Sequence, residues 1–335
     1  MSGTDFSQIL IHEDHYAAAM RETAEPYLEQ RCEIRTLYRE KNHPINCVRY
    51  KPDQPKAVVL ISHGFIESVV KYREMIYYFL QNHYTVYALD HCEHGKSYRL
   101  TEDLSKVHCD SYRRWVDDLL FVAHFTRKAY PDLPLYLYAH SMGGGIGAAA
   151  VGTEPDLFSK VILTSPMIRP ATAGVPWTIT RLICGFFCAI GRRESYALGN
   201  HPFDDDEPFE TSASVSRARF DYYMEKRRSD PLYQMTGATW GWLKCAIDLN
   251  TYLQKTAWKQ YTCPVLLFQA DCEEYVINAQ EELFIQKLNT VCDAKLIHME
   301  ETKHEIFNSH DAVMLRYLED IFTFLSTAAA DTPRQ

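Results

Sequence analysis

The chemistry in this sequence centres on Ser141, within Ala139-His140-Ser141-Met142-Gly143-Gly144. A continuous apolar run precedes it, and a run of small residues follows. A serine at a tight strand-to-helix turn is held in a strained backbone that lifts its hydroxyl above the sheet. The neighbours must be small because the two backbones pass close together. The usual spacing is Gly-x-Ser-x-Gly, and Ala139 stands in for the first glycine. A serine hydroxyl is a poor nucleophile until a base takes its proton. In this arrangement the acid and then the histidine follow the serine along the chain. Among the downstream histidines, His304 follows the last strand-like run and precedes the closing helix, so it falls in a loop at the strand's C-terminal end. His298 falls inside that strand, and His310 begins the helix. The acid belongs just past the strand-like run 264–270, where Asp271, Glu273 and Glu274 compete. Either carboxylate type orients an imidazole and stabilises imidazolium, so these residues alone leave the choice open.

Acyl transfer also needs donors for the negative charge that builds on the carbonyl oxygen. The backbone N–H of Met142, next after the nucleophile, is the first candidate. The second is the Phe65 N–H, in His63-Gly64-Phe65-Ile66-Glu67 after the first buried strand. The loop Asp90-His91-Cys92-Glu93-His94-Gly95-Lys96-Ser97 follows the next strand. It reads as a brace for the site rather than a metal centre, since no further ligands converge on it. No metal or organic cofactor is required.

These residues need a scaffold, and the rest of the sequence supplies one. A helix over about 12–31 leads into an antiparallel pair around the turn-like Lys41-Asn42-His43-Pro44. Buried strand-like runs then alternate with amphipathic helices up to residue 166, which argues for an α/β architecture with a mostly parallel central sheet flanked by helices. The alternation breaks for the next stretch, which is rich in Trp, Phe, Tyr and Arg and reads as helical; a structureless loop of that length is implausible. The expected organisation is a core over 1–166, an inserted helical cap over 167–262, and a second core part over 263–335 that carries the acid and the histidine. The tail 328–335 is expected to be disordered. In the cap, Trp177, Leu182, Phe186 and Phe187, with Val175, Ile179, Ile183 and Ile190, are candidates to line an acyl channel.

Composition limits the partners. The net charge of −9 argues against nucleic acid, whose phosphates demand a concentrated basic surface. No basic leader with an apolar stretch opens the chain, and the most apolar segment, 182–190, is too short to span a bilayer. The ten cysteines form no CxxC pair, and a reducing cytoplasm is the expected compartment. Transient contact of the cap with a membrane surface fits its apolar helix, although no strongly basic face accompanies it. Oligomeric state is left open.

Taken together, HGF at 63–65, DHCEHGKS at 90–97, AHSMGGG at 139–145, QADCEEYVINAQ at 269–280 and KHEIFN at 303–308 resemble the lysophospholipase L2 and monoacylglycerol lipase branch of the α/β-hydrolases. The likeness covers about residues 20–325, with the cap matched loosely. It implies the α/β-hydrolase fold, Ser141 as nucleophile and His304 as base. It also implies Glu273 as acid, four positions after Gln269, with Asp271 as the alternative. Relatives often read DxRGHGxS where this chain has Cys92 and Glu93, so no role for that arginine carries over. The implied reaction is hydrolysis of a lipid ester through an acyl-serine. Other cap-bearing serine hydrolases share the machinery: carboxylesterases, thioesterases and prolyl-type aminopeptidases. A peptidase would need an acidic pair in the cap, and Asp204-Asp205-Asp206-Glu207 reads as a solvated loop instead. A non-catalytic binding protein of this fold would normally lack the serine or the histidine, and both are present.

Overall fold

The computed structural model describes residues 6–205 and 207–327; the tail 328–335 and Asp206 lie outside them. The strands are β1 (Cys32–Glu40), β2 (His43–Tyr50), β3 (Ala57–Ser62), β4 (Tyr84–Leu89), β5 (Lys106–Val107), β6 (Leu135–His140), β7 (Lys160–Thr164), β8 (Gly237–Ala238), β9 (Val265–Cys272) and β10 (Ala294–Lys303). The α-helices are α1 (Tyr16–Ala19), α2 (Glu25–Glu29), α3 (Arg73–Gln81), α4 (Tyr112–Ala129), α5 (Ser141–Thr153), α6 (Trp177–Ala189), α7 (Arg217–Ser229), α8 (Trp240–Lys255), α9 (Asn278–Leu288) and α10 (Asp311–Ser326).

Eight strands form one sheet in the order β1-β2-β4-β3-β6-β7-β9-β10. β2 runs antiparallel to β1 and to β4, and every pairing from β4 through to β10 is parallel. The parallel interior follows from sequence. β3, β4 and β7 are buried at every position, as strands covered by helices on both faces must be. The outermost strand β1 instead alternates between exposed and half-buried positions.

Two local readings differ from the structure. The helix expected over 12–31 is broken by a wide turn over Met20–Ala24, where the Glu25 N–H reaches back five residues to Met20. Pro26 follows at the start of α2 and has no N–H to continue the regular ladder. Second, the small-residue helix expected to start at Gly145, after a glycine-rich turn, already begins at Ser141 as α5. Gly143 and Gly144 sit inside the helix because nothing larger fits. A Cβ on Gly143 would lie 2.3 Å from the carbonyl oxygens of Ser62 and His63, and one on Gly144 would lie 2.7 Å from Pro166. Close approach of α5 to β3 therefore outweighs the helix-weakening effect of glycine.

The stretch between β7 and β9 holds α6, α7 and α8. Its last helix differs in kind from the others. Trp242, Cys245, Ala246, Leu249 and Leu253 of α8 belong to the main hydrophobic core, so α8 is built into the body that α5 and the sheet form. α6 packs on α8 through a small satellite cluster of Cys184, Ala197, Trp240 and Ile247. The thiols of Cys184 and Cys188 both face the Trp240 carbonyl, at 3.4 and 3.6 Å. Among the described residues no helix is long and apolar enough to cross a membrane.

Candidate active site

β6 ends at His140 and α5 begins at Ser141, so the serine sits directly at the strand-to-helix turn. Its φ is +52°, a region that L-residues enter only under strain. The Ser141 carbonyl accepts from Met167 N at 2.7 Å, which ties the turn to the segment after β7. Small size at position 139 matters here: a Cβ on Gly147 of α5 would already lie 3.1 Å from the Ala139 methyl. Alanine fits where the usual pattern has glycine, with no room for more.

His304 and Glu273 arrive from neighbouring strands. β9 and β10 are paired in parallel with Lys303 opposite Cys272, so the next residue on each strand stands beside the other. The His304 Nδ1–H donates to Glu273 Oε2 at 2.7 Å. On the other side of the ring, Ser141 Oγ donates to Nε2 at 2.7 Å. The His304 and Glu273 side chains are only 6% and 2% exposed, so the row is shielded from water. Burial by itself would raise the Glu273 pKa. The imidazole opposite it, and the backbone N–H groups of Tyr275 (2.7 Å) and Val276 (3.2 Å), more than offset this and hold the carboxyl below its ordinary value.

The rival acids stand elsewhere, which corrects the alternative of Asp271. Its side chain is half-exposed, 3.4 Å from His298 Nε2, and accepts from Glu301 N. Glu274 is exposed.

Beside the row lies a buried charged cluster. Glu67 accepts from Gly64 N and Tyr72 OH, each at 2.6 Å, and pairs with Lys71 at 3.2 Å. Lys71 also pairs with Glu305, which accepts from Ser214 OH and Asn308 Nδ2. Burial opposes ionisation of all three, yet they charge one another: Glu67 sits at about 2, Glu305 is lowered and Lys71 raised. His140 packs 4.8 Å from the His304 ring, and burial lowers its pKa to about 4 despite Glu67, so it adds no charge next to the base.

Ser141 and His304 open into a cavity of about 570 Å³, within the usual range for small-molecule sites. Its lining includes the apolar residues Val175, Ile183, Leu198, Trp240 and Trp242. It also includes Glu67, Lys71, Tyr223, Arg227 and Glu305. Phe65 lines the same cavity, its ring 4.6 Å from Trp242. Met142 is the second residue of α5, where first-turn amides have no acceptor within the helix. The structure corrects the expectation for the cap: Trp177, Leu182, Phe186 and Phe187 do not line this cavity. Phe187 stacks on Trp240 at 4.3 Å and 6°, Trp177 packs in the satellite cluster, and Leu182 and Phe186 point outward at 75% and 59% exposure. The sequence reading missed Leu198, Trp240 and Trp242; their aromatic-rich stretch was visible, but not which of its faces turns inward.

Residues 53–311 match the family described as serine aminopeptidase, S33. The chain belongs to this family. Among its relatives, this S33 member is 29% identical to lysophospholipase L2 of Escherichia coli over 290 residues, 84% of each chain. It is 30% identical to the monoglyceride lipase of Rattus norvegicus over 182 residues, half of this chain and 58% of that one. Among solved structures, a thermostable carboxyl esterase from Bacillus coagulans superposes with a TM-score of 0.70 at 18% identity, covering 88% of this chain and 97% of the other. A soluble variant of Saccharomyces cerevisiae monoglyceride lipase gives 0.66 at 18%, covering 88% and 94%. The eight-stranded sheet and these likenesses make the fold that of the α/β-hydrolases.

Proposed function

We propose that this protein is a serine hydrolase that cleaves carboxylic esters of single-chain lipids, a lysophospholipase or monoacylglycerol lipase. The observation that carries the reading is the row Ser141–His304–Glu273, with both hydrogen bonds at 2.7 Å, opening into a cavity lined by both apolar and charged side chains. Such a cavity suits an amphiphile with one acyl chain and a compact head group. The named activities of the relatives agree with it.

In the proposed reaction, His304 Nε2 takes the Ser141 proton as Oγ attacks the ester carbonyl. Glu273 holds the ring in the required tautomer and stabilises the imidazolium. The Met142 and Phe65 amides receive the oxyanion. The alcohol leaves with the proton from His304, and water activated by the same ring releases the fatty acid.

A peptidase reading has the family's description in its favour. However, of the cavity carboxylates Glu207 pairs with Arg227 and Glu67 and Glu305 share Lys71, and Asp205 pairs with Arg228 outside. Each of these cavity carboxylates already touches a cation, so a substrate ammonium would have to compete with Lys71 or Arg227 for it. The outward face of α6 and its C-cap, with Ile179, Leu182, Phe186 and Ile190 all exposed, supports transient contact with a lipid surface. The ten free thiols support a reducing, cytoplasmic location.

A fluorophosphonate probe tests the reading. It should label Ser141 and fail on Ser141→Ala. Folded wild-type protein that takes no label refutes the mechanism. In a panel of lysophospholipid, monoacylglycerol, p-nitrophenyl ester and prolyl amide, turnover of the amide alone would overturn the substrate class.

A further inference from the structure

The loop that carries Phe65 is held by imidazoles that the proposed reaction does not use. His63 Nδ1 lies 2.8 Å from the Gly64 carbonyl oxygen and must donate to it. The other nitrogen of His63 accepts the His91 backbone N–H at 2.9 Å. His94 repeats the pattern: Nδ1 donates to the Cys92 carbonyl at 2.9 Å, and Nε2 accepts the Ile66 N–H at 3.2 Å. Both rings are almost wholly buried and lie 5.0 Å apart. The contacts require both to be neutral, with the proton on Nδ1. Burial, which lowers both pKa values, supports that state.

The consequence is geometric. No peptide bond in the described chain is cis, and a trans peptide directs its C=O and N–H to opposite sides. Pinning the Gly64 carbonyl on His63 therefore fixes the direction of the Phe65 N–H. Pinning the Ile66 N–H on His94 fixes the next peptide, and Glu67 holds the Gly64 N–H at 2.6 Å on the other side. The segment needs such restraint, because Ile66 has a φ of +56°, an outlier for a β-branched residue.

We propose that His63 and His94 are positioning residues that aim the Phe65 amide at the developing oxyanion, with His94 the ring that keeps the strained Ile66 turn from relaxing. The proposal rests on the serine-hydrolase reading of the same site. It makes the loop at 90–97 part of the oxyanion machinery, acting through backbone rather than touching substrate.

The test separates aim from mere support of the fold. In His94→Leu the Ile66 N–H loses its acceptor. Turnover should fall roughly 10²-fold, the scale of one lost or misplaced oxyanion donor, while KM stays within about threefold. Affinity for a trifluoromethyl ketone, which forms an oxyanion on Ser141, should fall by a similar factor, while affinity for the fatty-acid product does not. His94→Gln, whose amide oxygen can accept the same N–H, should recover most of the loss. If ketone and product affinities fall together, or Gln rescues nothing, the role is structural and the proposal fails. Should His94→Leu not fold, nitrogen NMR of the wild-type imidazoles decides. Nδ1-protonated neutral rings at His63 and His94 support the proposal, and any other tautomer or an imidazolium at either overturns it. An active Ser141→Ala would refute the underlying mechanism, whereas an inactive Ser141→Ala with fully active His94→Leu refutes only this inference.

Discussion

The helices α6 and α7, both between β7 and β9, are the same length and bound the same cavity, yet they are held by opposite means. α6 buries only Thr180 and Cys184. It packs along α8 through apolar contacts that include the Phe187–Trp240 stack, and leaves Leu182 and Phe186 in solvent. α7 is fastened by charge. The Arg219 guanidinium, fully buried, bonds Glu74 of α3 at 3.0 Å and the carbonyls of Ile11 and Ser309 at 2.8 and 3.1 Å. Burial opposes its charge, but Glu74 more than compensates and raises its pKa. Lys226, further along α7, reaches Glu25 at 3.2 Å. The difference teaches that one side of the cavity is fixed to the core by a directional polar network, and the other rests on apolar packing, with only Thr180 and Cys184 of α6 buried. Regions with few buried contacts open at low free-energy cost, so substrate entry should occur on the α6 side.

Breaking α7 should have the largest effect. Arg219→Leu leaves Glu74 buried without its partner and should cost about 3–5 kcal/mol, read as a lowered urea midpoint. A loss under about 1 kcal/mol would mean that both helices are loosely held. Removing the α6 stack is next: Phe187→Ala should cost about 2 kcal/mol. It should also increase backbone hydrogen exchange in α6 without changing it in α7; equal changes in both would erase the contrast.

Acid should act on α7 selectively. The Glu25 carboxyl is disfavoured by burial, yet Arg73 and Lys226 hold its pKa below the ordinary value. A pKa lowered on folding contributes stability that is complete above the unfolded value and is lost as pH falls through the folded one. Exchange in α7 should therefore rise below about pH 4.5, and Glu25→Gln should flatten that rise. The smallest stability effect belongs to the outer face of α6. Leu182→Ser with Phe186→Ser should shift stability by no more than about 0.5 kcal/mol per site. It should nonetheless cut cosedimentation with phosphatidylcholine vesicles several-fold. Unchanged vesicle binding would remove the lipid-surface contact from the account.

Much of the site was legible before the fold. The apolar run into Ser141, the small residues after it, and the position of His304 between strand and helix each follow from local rules of strand burial and backbone approach. The acid was not legible from the residues alone, because Asp271, Glu273 and Glu274 are equally near in sequence. The register of β9 against β10 separates them: Cys272 pairs with Lys303, so position 273 meets 304, while Asp271 turns to His298. The lining of the cavity was hidden for a different reason. α6 carries apolar residues on nearly every face, so periodicity does not say which face turns inward. The packing of Phe187 on Trp240 decides it, and directs Ile183 to the cavity.

The sequence by itself determined the alternating architecture, the strained serine turn and the histidine downstream, since each depends on the properties of neighbouring residues. Only the tertiary structure decided which carboxylate meets that histidine, which cap residues face the cavity, and that His63 and His94 grip the Phe65 loop. Those outcomes depend on the register between strands and on contacts between segments far apart in the chain, and no local pattern encodes either.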